Sequence, residues 1–110
     1  MTCNIILRKE IIGGFLVDNR YKMKKVVMHK HISLPYPPFI GLNIEFGNKE
    51  EPDFKIESIT FSMKRWVHVC SQCQYVAVQD DSSALDEVVS NLHKYDWVTD
   101  SDSLNDENIS

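Results

Sequence analysis

Most of the features that announce a chemistry are missing from this chain. No apolar run approaches the ~20 residues that a membrane-spanning helix requires. Arg8, Lys9 and Glu10 break the first apolar stretch, so the start lacks the pattern of a secretory signal, and a soluble, cytoplasmic protein is predicted. Three cysteines (Cys3, Cys70 and Cys73) are too few for a disulfide framework and fit a reducing compartment. Glycine is scarce. Gly13-Gly14 meets no phosphate-loop or dinucleotide fingerprint. There is no internal repeat, and no second CxxC accompanies Cys70-Ser71-Gln72-Cys73.

What is present is the composition of one globular domain of 110 residues, 43% hydrophobic and 25% charged. Its net charge of −4 hides an asymmetry. Residues 1–31 hold seven Lys or Arg against Glu10 and Asp18, whereas the remainder holds five basic and fourteen acidic residues. A basic arm against an acidic body is one reading of that split, and it is not by itself a sign of nucleic acid.

The stretch Leu34-Pro35-Tyr36-Pro37-Pro38-Phe39-Ile40-Gly41-Leu42 carries three of the four prolines and divides two alternating segments. Before it, Val26, Met28, Ile32 and Leu34 fall on one side of a strand, interrupted by Lys30. After it, Ile40, Leu42, Ile44 and Phe46 alternate in a second strand, and Gly47–Asp53 reads as a polar loop. A third strand over 54–63 changes phase near Glu57-Ser58, as a β-bulge would make it, and a fourth runs over 66–78. Ser83 is a good N-cap for a helix whose Leu85, Val88, Val89 and Leu92 form one apolar stripe. These elements predict an α+β domain over 24–98, a four-stranded, mainly antiparallel meander covered on one face by a C-terminal helix. Residues 1–23 read as an N-terminal hairpin turning at Gly13-Gly14, as a short helix ended by Gly13, or as a loosely attached arm. Residues 99–110 read as a disordered acidic tail.

Three constellations deserve weighing as sites. The stiff Pro-Tyr-Pro-Pro-Phe joint offers Tyr36 and Phe39, and Trp66 and Trp97 stand near element ends, which suits a protein-binding surface. The competing reading packs Tyr36 and Phe39 over a core edge. Lys22, Lys24, Lys25, Lys64 and Arg65 with Trp66 would make a basic, aromatic stripe for single-stranded nucleic acid on the helix-free sheet face. Lysines at strand ends are also ordinary edge protection. His29 and His31 share one strand face, as do His68 and Cys70, and the four would bind zinc if their strands were neighbours with both faces open. Cys70 and Cys73 alone would need a tight turn at Ser71-Gln72, a poor turn dipeptide. A bland outward polar surface is the stronger reading of all four metal candidates. Glu50-Glu51 and Asp80-Asp81 read as solvated loop acids, and no nucleophile has a base and an orienting group in view, so the sequence leans against an enzyme. A non-catalytic module binding a protein partner or copies of itself is therefore expected. Small inhibitors or accessory proteins of mobile elements share this acidic composition, an analogy of composition only.

Overall fold

The computed structural model describes residues 2–48, 50–79 and 83–105. Its centre is the N-terminal segment. Strand β1 (Cys3–Val17) and strand β2 (Arg20–Leu34) form an antiparallel hairpin of two fifteen-residue strands. The chain reverses at Asp18-Asn19, where φ is 51° and 61°. Two left-handed residues give a turn whose twist matches its strands, and Asp and Asn tolerate that conformation better than other side chains. The turn therefore lies four residues beyond the glycine pair, and Gly13 and Gly14 are interior positions of β1.

The rest of the chain builds outward from this hairpin. Short strands β3 (Asn43–Ile44) and β4 (Phe54–Lys55) pair with each other in a separate two-stranded sheet. Strand β5 (Ser58–Ser62) then turns into β6 (Val67–Gln79), helix α1 (Ser83–His93) follows, and β7 (Val98–Asn105) ends the described chain. The main sheet has the order β5-β6-β1-β2-β7. Its pairings are antiparallel except β1 with β6, which is parallel. The fold is α+β with one helix among the described residues and a mostly antiparallel sheet, but the sheet is mixed and five-stranded rather than a four-stranded meander. The phase change near Glu57 is the gap between β4 and β5, where the chain passes from one sheet to the other. Part of the expected tail, through Asn105, pairs with β2 as strand β7. Residues 106–110 and Asp80-Asp81 lie outside the described residues.

Register assigns the two faces. Ile5, Leu7, Lys9 and Ile11 of β1 lie beside Ile32, Lys30, Met28 and Val26 of β2, and beside His68, Cys70, Gln72 and Gln74 of β6. This face is covered by α1 and by the segment between β2 and β5, and its core includes Phe54, Ile56, Leu85, Leu92 and Trp97. Each large aliphatic side chain buried there contributes about 1.5–3 kcal/mol. A Cβ on Gly13 would stand 3.2 Å from Leu85 Cβ, so glycine lets the helix approach the strand closely. On the other face a Cβ on Gly14 would run into the Tyr21 ring. The helix closes with backbone N–H groups of Tyr95 and Trp97 both donating to the Leu92 carbonyl, at 3.0 and 3.3 Å. Asp96 supplies the left-handed residue, φ 68°, that such an ending needs, and the reversal carries Trp97 into the core.

Candidate functional site

The predicted partner-binding residues separate into a surface group and a core residue. After Leu34 the prolines take the chain out of the ladder, and Tyr36 and Phe39 stack on each other at 6.4 Å with both rings exposed. Trp66 is 74% exposed at the end of the β5–β6 turn and meets Phe61 edge-on at 5.7 Å. Phe61 in turn meets His68 at 5.0 Å. Leu34 pairs with Cys3, and Ile5 pairs with His68, so the register brings both aromatic pairs to the same end of the sheet. Ile40, next to Phe39, and Met63, in the β5–β6 turn, are each 67% exposed and add apolar surface beside the two pairs. Trp97 does not belong to it, being 2% exposed beneath Phe46 and Phe54.

Trp66 has φ 52°. For a bulky side chain that left-handed conformation costs on the order of 1 kcal/mol or more, and glycine is the usual occupant of such a turn position. The turn thus holds its least comfortable residue with the indole directed to solvent.

The basic set is not one stripe. Lys22 pairs with Phe15, ten β1 residues from the Ile5–His68 row that precedes the Lys64-Arg65-Trp66 turn, a separation of about 33 Å along the strand. Lys24 Nζ lies 3.4 Å from Asp86 of the helix, and Lys25 Nζ lies 3.1 Å from Glu10 on the bare face. Burial alone would raise the Glu10 carboxyl, but hydrogen bonds from Lys25 and Arg8 outweigh it and hold the group below the usual carboxylate range.

The histidine–cysteine quartet is divided. His29 and His31 stand on the bare face of β2, ring to ring at 5.3 Å, with His29 Nδ1 on the Asp100 carboxylate. His68 and Cys70 stand on the covered face of β6, and β1 runs between the two strands. The Cys70 thiol is buried, which pushes it up to about 11 and disfavours the thiolate that a metal requires. Strand alternation puts Cys73 on the opposite face from Cys70, so the CxxC pair cannot chelate. Among the described residues no group of three or more His, Cys, Asp or Glu is placed to hold a metal ion.

A different cluster, which the sequence did not single out, lies under the loop between β3 and β4. Glu51 is 3% exposed, although its sequence context reads as a solvated acid. Lys30 Nζ donates to its Oε2 at 2.6 Å, and Trp97 Nε1 donates to the same oxygen at 2.9 Å. Lys9, 1% exposed, places Nζ 5.2 Å from the Trp97 ring centre and 5.9 Å from that of Phe54. Burial pulls the Lys9 ammonium down to about 8, with Glu51 opposing the shift. Neighbouring Glu50 accepts from Tyr95 Oη at 3.0 Å, and its carbonyl accepts from Asn91 Nδ2 at 3.1 Å. Two adjacent glutamates thus fasten the loop to β2, to the helix end and to Trp97. The single legible signal was Lys30, a charge interrupting an otherwise apolar strand face.

This buried cluster has the perturbed lysine that catalysis often uses, but Lys9 is enclosed by rings and packed strands, and no substrate reaches it. On the bare face a shallow depression of about 380 Å³ is lined by Arg8, Glu10, Glu57 and Cys73 among others. Arg8 is bound to Glu10 at 3.0 Å, Glu57 accepts the Cys73 backbone N–H at 2.9 Å, and no histidine lines the space. Neither place assembles a nucleophile with its base. No helix among the described residues is long and apolar enough to cross a membrane. No protein-family model, curated protein or solved structure matches this chain.

Proposed function

We propose that this chain is a small, non-catalytic protein-binding module that works in the cytoplasm and engages its partner through the aromatic end of the sheet. The observation that carries the reading is the exposure there of two aromatic pairs, Tyr36 with Phe39 and Phe61 with Trp66, alongside Ile40 and Met63. Large apolar groups gathered at one end of a domain mark an interaction site, and Tyr and Trp are the residues most often found at binding hot spots. The strained backbone of Trp66 supports the same reading, since glycine would suit the turn and only the indole is gained.

The test uses extract of the source organism and the immobilised chain. Wild type is compared with Tyr36→Ala, Phe39→Ala and Trp66→Gly, and thermal melts establish that each variant is folded. A protein retained by wild type and lost from these folded variants is the expected result. Equal retention by all four chains overturns the reading. Retention of single-stranded nucleic acid that disappears with Lys64→Ala and Arg65→Ala would replace it with the nucleic-acid alternative.

A further inference from the structure

The main sheet ends in two unlike edges. On the β7 side the edge strand carries Asp100 and Asp102 in its sequence, the kind of charge that discourages another strand from pairing. On the β5 side the edge strand is Ser58-Ile59-Thr60-Phe61-Ser62, with no charge and no proline. Among the described residues no strand lies outside it in the sheet, and Ser58, Thr60 and Phe61 are exposed. Its outward backbone groups are free to receive a strand.

The chemistry of this edge also specifies which strand. Read in either direction from Thr60, it is nearly the same sequence. An antiparallel copy centred on Thr60 sets Thr60 opposite Thr60, Ile59 opposite Phe61, and Ser58 opposite Ser62. Threonine pairs and aromatic–β-branched pairs are both favourable across antiparallel strands, and no charge meets its like within the pairing. Ile59 and Phe61 lie on the same face of the strand, so each copy's exposed Phe61 ring would be covered by the other's Ile59. We infer that the β5 edge is a homodimer interface, in which a second copy pairs β5 with β5 about a two-fold axis through Thr60 and joins the two sheets into one.

This inference deepens the proposed function, and it rests on that reading for the Phe61 side of the aromatic end only. A five-residue strand pair with its flanking side chains lies at the small end of interfaces, below the ~1,200–2,000 Å² of stable complexes. The dimer is therefore weak and dependent on concentration.

Sedimentation equilibrium from micromolar to near-millimolar chain tests it. Wild type is expected to pass from monomer to dimer across that range. Thr60→Lys sets two ammonium groups face to face and should weaken association by about tenfold or more, as should Thr60→Glu. Mixing the two variants sets Lys against Glu and should restore a heterodimer, which a merely misfolded variant cannot do. A wild type that is monomeric throughout overturns the inference, as does dimerisation unaffected by either charge. A monomer whose Tyr36 and Phe39 still retain another protein would leave the proposed function standing. A charge-sensitive dimer that retains nothing else would do the reverse.

Discussion

On the covered face of the sheet, Lys9 and Lys30 are held with Glu51 out of water, between aromatic rings; on the bare face, Arg8 and Lys25 meet Glu10 at the surface. Both are clusters of two cations from β1 and β2 with one carboxylate, which comes from β1 itself at the surface and from the loop between β3 and β4 in the buried case. Their energetics differ because desolvation differs. The surface group is screened by water and salt and contributes at most about 1 kcal/mol. The buried group gains little by existing, since the cost of removing its charges from water offsets their attraction, yet removing the carboxylate strands both cations. Burial thus turns an ordinary charge cluster into a point on which the loop between β3 and β4 depends.

The largest loss is expected from Glu51→Ala. It leaves two enclosed ammonium groups and an unmatched Trp97 N–H, and should cost about 3–5 kcal/mol in denaturant unfolding, whereas Glu10→Ala should cost under about 1 kcal/mol. Next in size is Lys9→Met, which keeps the volume and removes the misplaced charge. The Lys9 ammonium titrates at about 8 in the fold against 10.5 when unhindered. Between those values the unfolded chain binds more protons, so wild-type stability should rise with pH across that window. Lys9→Met should gain roughly 1–3 kcal/mol below pH 8, a gain that vanishes once the unfolded lysine is also neutral. Urea titrations at several pH values check both statements.

The paired glycines give a gentler contrast. Gly13→Ala presses on Leu85 Cβ and must move the helix, with a loss of about 1–2 kcal/mol. Gly14→Ala meets the far end of the Tyr21 side chain, which can swing outward, and alanine's lower unfolded entropy offsets the rest, so under about 0.5 kcal/mol is expected. Melting temperatures of the two variants should therefore separate although the substitutions are adjacent. The smallest effect belongs to Glu10→Gln. The folded carboxyl titrates below its unfolded value, so its contribution is present at neutral pH and is lost as pH falls through the folded value. The difference from wild type should also shrink with added salt.

How much of this was legible varies by element. The helix from Ser83 was readable because a cap and a 3.6-residue stripe agree, and β2 because Val26, Met28, Ile32 and Leu34 alternate toward one core. Strand β1 was obscure because Ile6 is apolar and buried on the bare face, next to Ile5 and Leu7 of the covered face, which erases the two-residue period. Its glycines, read as a turn, serve close packing instead. Strand β7 was missed for the opposite reason, since Asp and Ser at an edge resemble a solvated tail. Of the candidate site, Tyr36, Phe39 and Trp66 were readable from proline chemistry and aromatic surface. Ile40, Phe61 and Met63 were not, because alternation assigns them to a core that they lie beside. Glu51 was invisible, since its partners Lys30 and Trp97 are 21 and 46 residues away.

Strand β6 closes one side of the β1–β2 hairpin, α1 crosses over, and β7 closes the other side. A single continuous segment, 67–105, is thus a clasp fastened at both jaws. Both pairings close loops of long sequence separation, which fold slowly. The hairpin, synthesised first, waits with both long edges unpaired until its clasp has been made.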